Sequence, residues 1–177
     1  GTTRRQGPPH PINGPRVATY IQRLLEDDYR GEGGRKGGHN VTLVDPADFP
    51  LLEKPEFCYA KSQVPSFLSE YKSVLEQADA IICITPEYNH GPSPGLVNVL
   101  NHFGSSVVSF KPSGIVSYSA GQWGGTRAAV ALRPILSEMG CLPVSAMIHI
   151  PYCQEVLDED GNIITDETGH DGNDGNS

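Results

Sequence analysis

Three consecutive side chains, Glu87, Tyr88 and Asn89, place a carboxylate acceptor, a flat phenol and a carboxamide between Pro86 and Gly91. Those types suit a planar heterocycle with polar edges. The ring offers a stacking surface, the carboxylate and carboxamide meet edge groups, and Gly91 lets a ligand approach the backbone. The same residues also fit a plain surface connection. What favours the first reading is their position. Ile81, Ile82, Cys83 and Ile84 form a short, continuous, β-branched-rich apolar run, the pattern of a strand buried on both faces of a parallel sheet. The loop Thr85 to Ser93 follows, and Pro94 then suits the first turn of a helix with Leu96, Val97, Val99, Leu100 and Phe103 at helical spacing. Open α/β sheets bind ligands at such strand-loop-helix junctions.

The rest of the chain alternates in the same way. Helical spacing runs from Asn13 to Tyr29, a glycine-rich stretch from Gly31 to Gly38, and a short strand pattern from Val41 to Val44. Asp45 to Val64 is proline-rich and irregular. A helix over Ser66 to Gln77, a strand over Ala80 to Thr85 and a helix over Pro94 to Gly104 follow. A strand over Ser113 to Ser117, a helix over Gly125 to Met139 and a strand over Val144 to Ile150 complete the alternation. This order predicts an α/β fold, a doubly wound parallel sheet with helices on both faces.

Composition narrows the class of protein. Of 177 residues 37% are hydrophobic, enough for one core, and no run reaches the roughly 18 apolar residues that would cross a bilayer. The chain carries 13 Lys and Arg against 21 Asp and Glu, a net charge of -8. Eight of those acids, Glu155 to Asp174, lie beyond Cys153 with no base among them, so residues 1–152 are formally neutral. A neutral body with an acidic end disfavours nucleic acid as a partner. Two units are expected: a domain over 1–152, and an acidic, partly disordered extension over 153–177 in which Asp160-Gly161 is a hairpin-type turn. Cys58, Cys83, Cys141 and Cys153 lack metal or redox spacing, and Cys83 and Cys141 fall by apolar runs, so reduced thiols and a cytoplasmic location are expected.

Several chemistries are disfavoured. His90 and His102 have no metal-like partner spacing, so no metal site is expected. Ser117 and Ser119 belong to no G-x-S-x-G pattern, which argues against acyl transfer. Glu87 reads as a cap for backbone donors rather than a general base, and no catalytic acid or base is assigned anywhere. Neither a Gly-Lys-Ser/Thr phosphate loop nor a G-x-G-x-x-G after a strand is present.

The PEYN loop after a buried strand resembles the flavin-ring loop of the NAD(P)H-dependent FMN reductases, a flavodoxin-like group that includes quinone, azo-dye and chromate reductases. Gly1-Thr2-Thr3-Arg4, with Gly14-Pro15-Arg16-Val17-Ala18 after an insertion, is similar to that family's first phosphate loop and helix. Tyr118-Ser119-Ala120-Gly121-Gln122-Trp123-Gly124-Gly125-Thr126-Arg127-Ala128 resembles its second glycine-rich loop. The likeness covers about residues 1–150.

The resemblance implies FMN as cofactor and NADPH or NADH as co-substrate, with hydride passing through the flavin to a quinone-like acceptor. A flavin-binding electron carrier or redox-sensing module is the other class of reading. Thr2, Thr3 and Arg4 would meet the phosphate, since hydroxyls and a forked guanidinium suit a dianion. Pro86, Glu87, Tyr88, Asn89 and Gly91 would meet the ring. Ser119, Ala120, Gly121, Gly124 and Gly125 would bring backbone N–H groups to the N1–C2 edge, where reduction puts negative charge. Arg127 is left between phosphate binding, solvation and pairing with a neighbouring subunit, and Trp123 between the ring and a subunit contact. A homo-oligomer, dimer or tetramer, is expected. Two departures stand out. The chain opens on the loop, so the central first strand is expected upstream of residue 1. The insertion between Arg4 and Gly14, with Pro8, Pro9 and Pro11, displaces the hydroxyl that the family places shortly after the arginine.

Overall fold

The computed structural model describes residues 12–27 and 38–165. Four strands form one parallel sheet: β1 (Ile81–Pro86), β2 (Pro112–Tyr118), β3 (Leu142–Pro143) and β4 (Ile148–Ile150). β2 is central. On one side all of β1 pairs with it, Cys83 opposite Ile115 and Pro86 opposite Tyr118. On the other side β3 covers its start and β4 its end, with Ser117 opposite His149 and Tyr118 opposite Ile150. Val144 to Ile150, expected as one strand, is therefore an interrupted one. Its first part leaves the ladder after Val144, whose carbonyl is held instead by the Arg133 guanidinium at 2.7 Å. Val41 to Val44, also expected as a strand, forms none and pairs with no strand among the described residues.

Six helices complete the described fold: α1 (Asn13–Glu26), α2 (Ser66–Gln77), α3 (Pro94–Asn101), α4 (Ser105–Val108), α5 (Thr126–Glu138) and α6 (Cys153–Val156). The start of α3 is set locally, by Pro94 at its first position and by Ser93, whose hydroxyl accepts from Leu96 N at 3.1 Å. Asp45 to Val64 is irregular, as its prolines dictate, and contains three single 3-10 turns.

Alternation along the strands divides the core in two. Cys83 and Ile115 face a cluster with Leu68, Val99, Phe103, Val108, Leu132 and Leu136, supplied by α2 to α5. Val116 and Tyr118 face the opposite cluster, with Val17 and Ile21 of α1 and with Cys153 and Leu157. Helices thus cover both faces, as expected of a doubly wound sheet.

The described part of the acidic segment, to Thr165, packs against α1. Leu157 is buried, its carbonyl accepts from the buried Arg16 guanidinium at 2.8 Å, and Leu157 bridges to Ile163 around a turn at Gly161. Gly161 has φ +77°, and a Cβ there would meet the Arg16 carbonyl oxygen at 2.7 Å, so the turn needs glycine.

All four cysteines are free, and only Cys58 is exposed. Burial, reinforced by neighbouring Cys141, pushes the Cys83 thiol up to about 12, which leaves almost no thiolate to react. One fast thiol is expected with Ellman's reagent on the folded protein and four in denaturant; two or more fast thiols would show that the core opens readily.

Candidate active site

Register fixes where the loops emerge. Pro86, Tyr118 and Ile150 are neighbours across the sheet at the carboxyl ends of their strands, so the loops after β1, β2 and β4 rise together. The N-terminus of α1 lies beside them, because a Cβ on Gly14 would reach the Tyr118 hydroxyl at 3.1 Å. Burial pushes that phenol up to about 12, so it stays protonated and able to donate.

The loop after β1 is a tight hairpin. Tyr88 and Gly91 exchange both backbone hydrogen bonds at 2.9 Å, and the two tip residues, Asn89 and His90, have φ +49° and +67°. Two consecutive left-handed residues of this kind make a type I′ turn, a conformation Asn tolerates better than most. Thr85, fully buried, anchors the base by accepting from Ser93 N at 2.9 Å. Tyr88 and Asn89 are exposed, and Tyr88 presents an uncovered ring.

Glu87 is mostly buried and pairs with Arg127, its Oε1 lying 3.1 Å from Nε. Its expected role as a cap for backbone donors is corrected: the nearby guanidinium outcompetes neutral N–H groups for the carboxylate. Arg127 Nη1 also donates to His90 Nε2 at 2.7 Å, and its guanidinium carbon lies 5.9 Å from the centre of the Trp123 ring. Arg127 therefore ties the first loop to the second within one chain. The Glu87 Oε2 atom is buried without a partner, an acceptor open to a ligand N–H.

In the second loop nearly every carbonyl is engaged by the protein itself. Ser119 O accepts from Cys153 N at 3.1 Å, and Ala120 O from Gln154 Nε2 at 3.2 Å. Gly121 O accepts from the Ser119 hydroxyl at 2.8 Å and Trp123 O from the Thr126 hydroxyl at 2.7 Å. Gly124 O accepts from the buried Ser117 hydroxyl at 2.7 Å. In a trans peptide the N–H points opposite the C=O, so tying the carbonyls down turns the following N–H groups away from those partners. Those of Gly121 to Gly125 donate to no group among the described residues. The first turn of α5 adds its own open donors and the positive end of its dipole.

Glycine is required where the loop is closest to the sheet. Gly124 and Gly125 have φ +56° and +74°, and a Cβ on Gly125 would approach the Tyr118 carbonyl oxygen to 2.9 Å. Gly121 is the opposite case, with nothing within 4 Å of its missing side chain. Of the residues read from sequence, the structure brings Pro86, Glu87, Tyr88, Asn89 and Gly91 together with Ser119, Ala120, Gly121, Gly124 and Gly125; the expectation for Ser119 is corrected, because its N–H donates to the Ile150 carbonyl at 3.1 Å where the chain leaves β2 and is not free for a ring edge. Thr2, Thr3 and Arg4 lie outside the described residues. Sequence reasoning missed Ser117 as a buried support and Thr126 and Gln154 as carbonyl anchors, since a hydroxyl or amide that holds a distant peptide leaves no spacing signal.

A parallel sheet whose strand ends carry one donor-rich loop and one aromatic, acceptor-bearing loop belongs to a flavodoxin-like α/β protein. The chain belongs to the NADPH-dependent FMN reductase family, which it matches over residues 7–154. It is 28% identical over 162 residues to the NADH-dependent flavin reductase subunit 2 of Lactobacillus johnsonii, covering 85% of this chain and 81% of that one. It is also 28% identical over 168 residues to a 2-hydroxy-1,4-benzoquinone reductase of a Burkholderia species, covering 86% and 87%. The structure resembles that of FerB, a flavoenzyme NAD(P)H:(acceptor) oxidoreductase from Paracoccus denitrificans, with a TM-score of 0.64 at 21% identity over 92% of this chain and 82% of the other.

The residues present fit FMN. An isoalloxazine edge carries acceptors for the open N–H groups of the second loop and one N–H donor for an orphaned acceptor such as Glu87 Oε2. Separating fold from ligand space, Gly125→Ala should cost roughly 1 to 3 kcal/mol of stability through left-handed strain and a backbone clash. Gly121→Ala should change stability by less than about 0.5 kcal/mol. Urea unfolding of both variants measures the contrast, and equal losses would refute it.

Proposed function

We propose that this protein is an FMN-dependent reductase that takes hydride from NADPH or NADH and delivers it to a quinone-like acceptor, with the flavin ring held between the Pro86–Gly91 and Ser119–Gly125 loops. The observation that carries this reading is the second loop, whose carbonyls are engaged internally while five successive N–H groups stay open. When bound, FMN supplies the redox chemistry, accepting hydride from a nicotinamide and passing it to the acceptor. The open N–H groups would hold the ring edge on which reduction places negative charge, and the α5 N-terminus would add to that stabilisation. Tyr88 and Trp123 give aromatic walls, and the Arg127 bridge to Glu87 holds the two loops at a fixed separation. Thr2, Thr3 and Arg4 would hold the phosphate. No side-chain acid or base is needed for hydride transfer itself.

A cytoplasmic location is proposed with this reading, supported by four cysteines that are all free. The reading also makes the working unit a dimer or tetramer. Tyr88 and Trp123 are 56% and 62% exposed, and a second subunit over them would close the flavin site from solvent.

Protein purified from its own cells should release FMN on denaturation and oxidise NAD(P)H rapidly with a quinone. Finding FAD would overturn the cofactor assignment, and bound FMN without such turnover would favour an electron carrier. Light scattering at micromolar concentration should report an oligomer; a monomer with full turnover would refute the shared site.

Two substitutions test the residues. Arg4→Ala should weaken FMN far more than riboflavin, because only FMN bears the phosphate; equal losses would place Arg4 elsewhere. Asn89→Gly keeps the left-handed turn while removing the carboxamide, and should cost roughly 1 to 3 kcal/mol of flavin binding if that group meets the ring. An unchanged dissociation constant would leave Asn89 a turn residue only.

A further inference from the structure

Beneath the second loop, Ser117 lies opposite His149 across the β2–β4 pair, and its hydroxyl is 2.7 Å from His149 Nδ1 as well as 2.7 Å from the Gly124 carbonyl oxygen. Ser117 is fully buried, and no other described group donates to Gly124 O. A serine hydroxyl has one hydrogen, and a carbonyl can only accept. If that hydrogen went to the imidazole, the buried carbonyl would be orphaned, a cost larger than the gain of the bond. The hydrogen therefore points at Gly124 O, and the imidazole has to be the donor at Nδ1.

We infer that His149 is a positioning residue for the flavin loop: in its Nδ1–H form it donates to Ser117, which donates to Gly124 O and so fixes the Gly124–Gly125 peptide with its N–H turned toward the ring site. Three features of the structure make the relay directional. His149 is held on β4 by the ladder to Ser117 and by the loop above it, since a Cβ on Gly124 would meet the His149 carbonyl carbon at 3.2 Å. Gly124 and Gly125 are both left-handed glycines, so the peptide between them has little intrinsic preference for one orientation and needs an external hold. That peptide also leads directly into Gly125, the N-cap of α5, so its N–H stands beside the first helical turn.

The inference rests on the flavin reading of the loop for its purpose but not for its geometry, so the test has two arms. In the first, nitrogen-15 NMR of the ligand-free protein at pH 8.5 should show His149 with its proton on Nδ1; a proton on Nε2 with bare Nδ1 would overturn the relay. In the second, fluorescence titration compares FMN and riboflavin binding to wild type, Ser117→Ala, His149→Leu and His149→Asn. Losing the hold on one ring-facing N–H should weaken both ligands by the same factor, about five- to thirtyfold, in Ser117→Ala and His149→Leu. His149→Asn, whose amide N–H can stand where Nδ1–H does, should stay within about threefold of wild type. The bound flavin's midpoint potential should fall in the two weakened variants, because the reduced ring depends more on that N–H than the oxidised ring does.

Tight wild-type binding with Ser117→Ala and His149→Leu unchanged would sink the positioning role while leaving the flavin reading intact. Wild type that binds neither FMN nor riboflavin would sink the flavin reading and with it the role assigned to His149. Failure of Asn to rescue would mean that His149 acts by packing alone, which also overturns the proposal. If His149→Leu does not fold, Ser117→Ala, which removes a single buried oxygen atom, decides the second arm.

Discussion

Parallel pairing of β2 with β1 and β4 positions everything at the candidate site. Side chains alternate along a strand, so a shift of β2 by one residue would turn Ser117 and Tyr118 to the opposite faces. Ser117 would then lose the Gly124 carbonyl and Tyr118 would leave the α1 face for the α5 face. The observed register is strongly specified because both faces are buried: Ile115 has to reach the α5 cluster while Val116 and Tyr118 reach the α1 cluster. Two hydrophobic cores thus set a polar geometry in which neither takes part directly.

The two loops solve different problems with the same backbone chemistry. The Tyr88–Gly91 hairpin satisfies its own main chain by mutual exchange and leaves only side chains to meet a ligand: a phenol ring, a carboxamide and a carboxylate oxygen. The Ser119–Gly125 loop does the reverse. Its carbonyls are tied down by hydroxyls, an amide and backbone donors, all but the Ser119 hydroxyl from outside the loop, and what remains is a row of N–H groups. An acceptor-bearing wall facing a donor-bearing wall suits a ring whose edge has both kinds of group. Arg127 spans the gap, and although a half-exposed ion pair contributes only about 0 to 1 kcal/mol, its second bond to His90 restrains the hairpin tip as well.

Much of this was legible in the chain. The apolar stretches Ile81–Ile84 and Gly114–Val116 announce parallel strands, although the structure buries only Cys83 of the first and leaves Ile82 39% exposed, and Ser93-Pro94 marks a helix start to the residue. The glycines of the second loop were visible as a cluster, though not which of them carry strain: Gly124 and Gly125 are left-handed, while Gly121 borders open space. Long-range partners were not legible. Glu87 taken by itself suits a backbone cap, yet its partner Arg127 is forty positions away, and Ser117 belongs to no motif although its hydroxyl holds the Gly124 carbonyl. Val41–Val44 has strand composition, but a strand needs a neighbour, and composition cannot show whether one is present.

The acidic segment illustrates how charge can mislead about packing. Eight acids without a base suggest solvated chain, and the family match stops at residue 154. Yet the acids of the described part are interleaved with anchors. Leu157 is buried against Val17 and Ile21, Gly161 fits against the Arg16 carbonyl, and Asn162 Oδ1 accepts from Arg23 at 2.7 Å. These contacts run along α1, whose N-terminus stands beside Tyr118 at the strand ends. Arg16 matters most, because its buried guanidinium donates to the Leu157 carbonyl, and removing the segment would leave that charge without this acceptor in an apolar surrounding. The segment thus packs along α1 from Arg16 to Arg23 and supplies acceptors for both guanidinium groups.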